Sequence, residues 1–83
     1  MGRRERSPDP DAGPVQRFAA RLRALREAAG RPTYRAMAQK VPFSVTALSQ
    51  AAAGRQLPTL AVTLAYVEVC GGDAGEWERR WRE

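Results

Sequence analysis

The sequence contains no histidine and one cysteine, Cys70, among its 83 residues. A single cysteine rules out an internal disulfide framework, and no group of Cys, His and carboxylate residues has the spacing of metal ligands. The serine and threonine hydroxyls have no histidine to serve as a base, and no glycine-rich phosphate loop is visible. The sequence therefore predicts neither an enzyme nor a protein that holds a metal or another cofactor.

Long apolar segments are also missing. The longest apolar-rich run, residues 60–70, has eleven residues and contains Glu68, so it is too short and too polar to span a bilayer. The N-terminal residues lack the apolar core of a signal peptide. With the lone cysteine, these features predict one small domain in the reducing cytoplasm, without a membrane-spanning segment.

Lysine is nearly absent, and the positive charge is carried by arginine. Thirteen arginines and one lysine oppose nine acidic residues, which leaves a net charge of +5. This excess favours an anionic partner, either nucleic acid or a membrane surface. The abundance of arginine and alanine also suggests a GC-rich genome.

Proline and glycine divide the chain into an N-terminal arm and five helices. Residues 1–13 combine charges with proline and glycine without periodicity, which predicts a flexible basic arm. The folded domain is expected at 14–83, with helices at 14–29, 34–41, 45–53, 60–70 and from 74 onward. Thr33, Ser44, Thr59 and Asp73 are the expected N-terminal caps. No strand pattern occurs, so the predicted fold is an all-α, five-helix bundle.

The core is predicted from apolar residues that recur at helical spacing. The first helix contributes Val15, Phe18, Leu22, Leu25 and Ala29. The fourth helix contributes Leu60, Leu64 and Val67, and Cys70 is expected to be an inert core residue. Trp77 and Trp81 share one side of the last helix and are expected to close it over the first and fourth helices. Two ion pairs are predicted on that helix, Glu76 with Arg80 and Glu78 with Arg82.

Residues 38–50, AQKVPFSVTALSQ, have the pattern of a helix-turn-helix. Ala38 is small enough for two helices to approach closely, and apolar residues can lock the corner between them. The predicted lock consists of Met37, Val41, Phe43, Leu48 and Ala51. Pro42 disfavours helical geometry at the preceding residue, so the second helix is expected to stop at Val41.

The outward arc of the third helix has the chemistry to contact base edges in a major groove. Gln50 can bind adenine through two hydrogen bonds, and Thr46 and Ser49 can hydrogen-bond to several bases. Val45 can touch a thymine methyl group. The expected phosphate contacts from the residues alone are Thr33, Arg35, Ser44 and Arg55. We therefore expect double-stranded DNA as the partner, with helix 44–53 as the recognition helix.

Residues 33–54, TYRAMAQKVPFSVTALSQAAAG, resemble the XRE helix-turn-helix of phage Cro and C1 repressors, without a gap. The resemblance implies a lambda-repressor-like fold, a role in transcription regulation and a further phosphate contact from Tyr34. It extends over about residues 14–83 to N-terminal domains of large regulatory proteins of high-GC bacteria, some with STAND-type NTPase modules and WD repeats. Pro42 departs from the family's left-handed turn glycine, so a different turn path is expected. Tyr34 stands where the family usually has glutamine.

Several interpretations stay open beside this one. The helix-turn-helix could be a degenerate protein-interaction module at the N-terminus of a larger signalling ATPase, because the recognition helix carries no cation. A membrane-surface helix is a weaker possibility, since the apolar face of the first helix is needed for the core. The arginines of that helix could form a solvated face or a phosphate track, and the arm could be a solubilising tail or a minor-groove contact. A homodimer or fusion to a larger chain, and a place at the nucleoid, are further expectations.

Overall fold

The computed structural model describes residues 13–83, and in this range all regular structure is helical. The five helices are α1 (Pro14–Ala28), α2 (Tyr34–Ala38), α3 (Val45–Ala51), α4 (Leu60–Val69) and α5 (Ala74–Arg82). The predicted all-α, five-helix fold is thereby confirmed. The predicted arm lies outside the described residues except for Gly13. Within the described range, no helix has the length and apolar character needed to cross a bilayer.

Four of the helices begin at the caps that the sequence predicts. The hydroxyls of Thr33, Ser44 and Thr59 each accept a hydrogen bond from the backbone amide three residues later, at 3.0, 3.0 and 3.2 Å. The carboxylate of Asp73 accepts from the amides of Gly75 and Glu76. Each cap satisfies amide groups that have no partner within the helix. The local sequence thus fixes where α2, α3, α4 and α5 start.

Both helices of the helix-turn-helix pair are shorter than predicted. Helix α2 ends at Ala38, not at Val41, because the amide of Lys40 bonds three positions back, to the carbonyl of Met37 at 3.0 Å. Helix α3 ends at Ala51, two residues before Ala53. The amides of the next two residues bond three positions back instead, to Ser49 and Gln50. This tightened turn ends the regular helix early.

The largest fully buried side chains come from four of the helices. They are Leu22 of α1, Met37 of α2, Leu48 of α3, and Thr63, Tyr66 and Val67 of α4. Partly buried Ala38, Val41 and Phe43 pack against this cluster, together with buried Ala51. The predicted lock of the α2–α3 corner is therefore present.

Two details of the predicted core are wrong. Ala29 is exposed, because α1 has already ended before it. Leu60 and Leu64 are only half-buried, whereas Thr63 and Tyr66 are buried in their place. Helix α4 is apolar on nearly every side, so its periodicity does not select the face that meets the core. Thr63 is accommodated there because its hydroxyl donates to the carbonyl of Thr59 at 2.9 Å.

Helix α5 closes the bundle through its two tryptophans, as predicted. The buried ring of Trp77 meets Phe18 of α1 edge-on, with ring centroids 5.5 Å apart. The indole N–H of Trp81 donates to the carbonyl of Pro58 at 2.8 Å, in the segment before α4. Both predicted ion pairs are present on the outer side of α5, at 2.8 and 2.7 Å. Cys70 is buried in the core, as predicted, and its burial raises the pKa of the thiol.

Candidate nucleic-acid interface

The outer face of α3 carries the four residues predicted to contact bases. Val45, Thr46 and Gln50 are exposed, while Leu48 and Ala51 on the opposite side are buried. Ser49 differs from the other three, since it is half-buried and its hydroxyl donates to the carbonyl of Thr46 at 3.2 Å. Its proton is therefore already used within the helix. The result is an exposed surface of short side chains with one amide, compatible with a major groove roughly 12 Å wide.

The two hydroxyl residues predicted to contact phosphates lie at the starts of α2 and α3. Thr33 and Ser44 are exposed, and each oxygen accepts a backbone hydrogen bond as a helix cap. A hydroxyl that accepts one hydrogen bond still has its own proton to donate. Both side chains can therefore cap their helix and donate to an anionic oxygen at the same time.

The two arginines predicted to contact phosphates lie on either side of α3 in the sequence. Arg35 is exposed in the first turn of α2, and Arg55 is exposed directly after Gly54. Arg55 also borders an open groove of about 320 Å³ between α3 and the start of α4. The residues that line this groove are Ala47, Gln50, Ala51, Ala53, Arg55, Gln56, Pro58, Thr59 and Val62. The structure thus brings the predicted base-reading Gln50 and a predicted phosphate-binding arginine to one groove.

Tyr34 points toward the core instead of toward solvent. Its hydroxyl lies 3.2 Å from the hydroxyl of Tyr66, which is completely buried. The guanidinium of Arg26 stands 4.4 Å from the centre of the Tyr34 ring. Burial, followed by the hydrogen bond with Tyr34, raises the pKa of Tyr66 far above its ordinary value. The implied phosphate contact of Tyr34 stays a prediction that this orientation does not favour.

The turn between α2 and α3 follows a path without a left-handed residue. Gln39 has right-handed helical angles, φ −73° and ψ −14°. The residues with positive φ in the described range are Gly30, Arg31, Gly54 and Gly71, all outside this turn. Pro42 therefore occupies a corner that does not need the conformation that proline cannot adopt. The different turn path expected from Pro42 is present.

Three polar side chains of α1 have a role that the sequence analysis missed. Gln16 donates to the carbonyl of Gly54, Arg23 to that of Ala52 and Arg26 to that of Pro32, at 2.9, 2.7 and 2.7 Å. Arg23 and Arg26 are therefore held by contacts within the protein and do not belong to a freely solvated face. No local signal identifies the contacts of Gln16 and Arg23, because their partners lie 38 and 29 residues further along the chain.

The arrangement offers no site for a metal within the described residues, since no three His, Cys, Asp or Glu side chains there are grouped to hold an ion.

A capped helix pair with a tight corner, a buried lock and an exposed second helix defines a helix-turn-helix domain. A family model described as helix-turn-helix domain matches residues 17–80, and the chain belongs to this family. No curated protein and no solved structure matches the chain.

Proposed function

We propose that this domain binds double-stranded DNA in a sequence-dependent manner and regulates transcription as an XRE-type helix-turn-helix. The observation that carries the proposal is the exposed outer face of α3, on which Val45, Thr46 and Gln50 stand beside one another. Helix-turn-helix domains present this surface to the major groove. The expected partner is therefore duplex DNA, with α3 lying along the base edges.

The proposed base contacts rest on the chemistry of the exposed side chains. Gln50 matches adenine N6 and N7, Thr46 can donate or accept, and Val45 provides an apolar contact for a thymine methyl group. Ser49 contributes mainly as an acceptor, because its proton is held by the carbonyl of Thr46. Specificity in this proposal depends most on Gln50, because its side-chain amide is expected to make two coplanar hydrogen bonds to one adenine.

The proposed phosphate contacts surround α3. Thr33 and Ser44 donate from the starts of the two helices, and Arg35 and Arg55 supply charge on either side. Because α3 itself carries no cation, attraction to the DNA backbone comes from these flanking residues. A module of this size gains affinity when two copies bind neighbouring half-sites or when it is fused to a larger chain. A homodimer or such a fusion is therefore part of the proposal.

A second function is favoured by one specific observation. Val45 and Leu57 are the exposed large apolar residues of the described range, at 43% and 41%. Because Val45 lies on the outer face of α3, that face also suits a protein partner. The rival proposal is a protein-interaction module of a larger regulatory ATPase. A DNA-binding experiment separates this function from sequence-dependent DNA binding.

The test is selection of tight binders from random-sequence duplex DNA, followed by fluorescence anisotropy at about 50 and 200 mM salt. Gln50→Ala should relax the preference at one base position by roughly 1–3 kcal/mol. Arg55→Ala should weaken binding to all sequences and reduce the salt slope by about one. Arg79→Ala, on the exposed side of α5, is the matched control and should leave the base preference, the affinity and the salt slope near those of wild type. Weak binding that is lost at about 200 mM salt and is unchanged in Gln50→Ala would favour the protein-interaction module.

A further inference from the structure

Helix α1 lies outside the helix-turn-helix pair, yet it holds the end of the recognition helix. The last carbonyl groups of any helix have no partner within it. Beyond α3, the carbonyls of Ala52 and Gly54 accept from Arg23 and Gln16 of α1. Both donors are half-buried and seven residues apart on the same side of α1. They form a bracket, defined as Gln16 and Arg23, around the C-terminal end of α3.

The charge of Arg23 suits this position. Carbonyl groups give the C-terminal end of a helix partial negative charge, which a nearby cation stabilises. Helix α3 has no basic residue in its own last turn, so the cation comes from α1. The Arg23 contact is short at 2.7 Å, as expected for a hydrogen bond from a charged donor.

The backbone at Gly54 lies directly against α1. Gly54 is buried with φ 84°, and a Cβ atom added there would lie 3.1 Å from Gln16 Oε1 and 3.5 Å from Ala19 Cβ. Ala19 is itself buried in the interior, together with Phe18 and Leu22 of the same helix. The end of α3 is thus fixed to a helix that the core already holds in place.

We propose that Gln16 and Arg23 are positioning residues for DNA recognition. The bracket holds the end of a helix of only seven residues, so it sets the direction in which Gln50 faces the duplex. It also holds the backbone next to Arg55. A two-bond contact between glutamine and adenine depends on this direction, whereas general attraction to phosphates does not. The inference rests on the proposed function, and it assigns specificity to residues that touch no DNA.

The test compares four variants with wild type on two duplexes, the selected sequence and a scrambled one. Arg23→Met keeps the aliphatic stem and removes the donors, and it should lower the ratio of the two affinities by about tenfold. Arg23→Lys retains a cationic donor and should recover most of that ratio. Gln16→Met removes a neutral hydrogen bond and should give a smaller loss. Arg21→Met is the matched control, because it removes one exposed charge from α1 without touching the bracket.

A second readout needs no DNA. In Arg23→Met, hydrogen exchange of the backbone amides at 51–55 should accelerate, while amides in α4 and α5 keep wild-type rates. A purely structural role would lower overall stability without changing the ratio between selected and scrambled duplex. Circular dichroism and thermal melting identify any variant that does not fold. If Arg23→Met does not fold, the affinity ratios of Arg23→Lys and Gln16→Met test the positioning role instead.

The outcomes separate the two proposals. Faster exchange at 51–55 with a reduced affinity ratio supports the positioning role. An unchanged ratio in Arg23→Met, or an equal loss in Arg21→Met, overturns it while DNA binding by α3 stands. If wild type selects no sequence at all, the proposed function has failed, and specificity positioning fails with it, whatever the variants do.

Discussion

At the scale of single residues, Arg31 carries backbone strain. It is the non-glycine residue with a positive φ, 56°, in the described part of the chain. Its amide bonds to the carbonyl of Arg26 at 2.9 Å, and Gly30 before it also has a positive φ, 93°. A left-handed conformation costs an L-residue roughly 1–2 kcal/mol. The exposed ion pair of Arg31 with Glu27, at 3.0 Å, offsets only a few tenths of a kcal/mol of that cost.

Arg31→Gly should therefore stabilise the domain. We expect the free energy of unfolding to rise by about 0.5 kcal/mol, since glycine adopts positive φ without strain but loses the ion pair and gains freedom in the unfolded chain. Urea denaturation of both proteins measures the difference. Arg31→Ala is the matched control, because it loses the same ion pair and keeps the strain. An equal gain in both variants would show that the backbone conformation is not the cause.

Also at this scale, a side chain's role is set by its partner as much as by its type. Tyr34 and Ser49 both have the chemistry to contact DNA, but both direct a hydroxyl to a partner within the protein. Thr46 and Gln50, in contrast, are exposed on α3. The proposed specificity is therefore concentrated in fewer residues than the sequence pattern alone indicates.

At the scale of elements, α3 depends on the contacts just outside both of its ends. Ser44 caps the start of the helix through the amide of Ala47, and the bracket of Gln16 and Arg23 holds the end. Helices this short are marginal without such support, because few backbone hydrogen bonds form within them. Loss of the cap should therefore affect both stability and recognition.

Ser44→Ala should lower the free energy of unfolding by about 1 kcal/mol. It should also weaken binding to the selected duplex, since the first turn of α3 frays and a proposed phosphate contact is lost. Asp73→Ala provides the comparison, because it removes the cap of α5 on an element that the proposal keeps away from DNA. Chemical denaturation and anisotropy on each variant give the result. If both variants bound DNA as wild type does, α3 would not be the contacting helix.

The sequence predicts elements well where the signal is local. Hydroxyl or carboxylate caps placed the starts of α2, α3, α4 and α5, and Pro14 placed that of α1. The ends of α2 and α3 are less well predicted, because tightened turns after Ala38 and Ala51 end these helices without a glycine or proline directly at those positions. The predicted inward face of α4 is wrong at Leu60 and Leu64, because apolar residues lie on nearly every side of this helix and its periodicity does not select one face. The bracket joins residues that are 38 and 29 positions apart in the chain, and the helical spacing of apolar residues gives no signal for such contacts.

At the scale of the whole molecule, α1, α4 and α5 form a supporting frame for the α2–α3 pair. Helix α4 packs against α1, α3 and α5, and the T-shaped contact of Trp77 with Phe18 joins α5 to α1. Arginines are exposed both near α3, at Arg55, and on the frame, at Arg17 and Arg79. The net charge of +5 therefore does not by itself choose the surface that meets an anionic partner.

The central claim is that duplex DNA meets the α2–α3 face, and an NMR titration of isotope-labelled protein with a selected duplex tests it most directly. The account predicts the largest amide shifts at residues 44–50, at Thr33, Arg35 and Arg55, and small shifts around Arg17 and Arg79. A titration with a polyanion that has no bases provides the comparison for charge alone. Shifts concentrated on the frame, or the same pattern with both partners, would contradict recognition of DNA by α3.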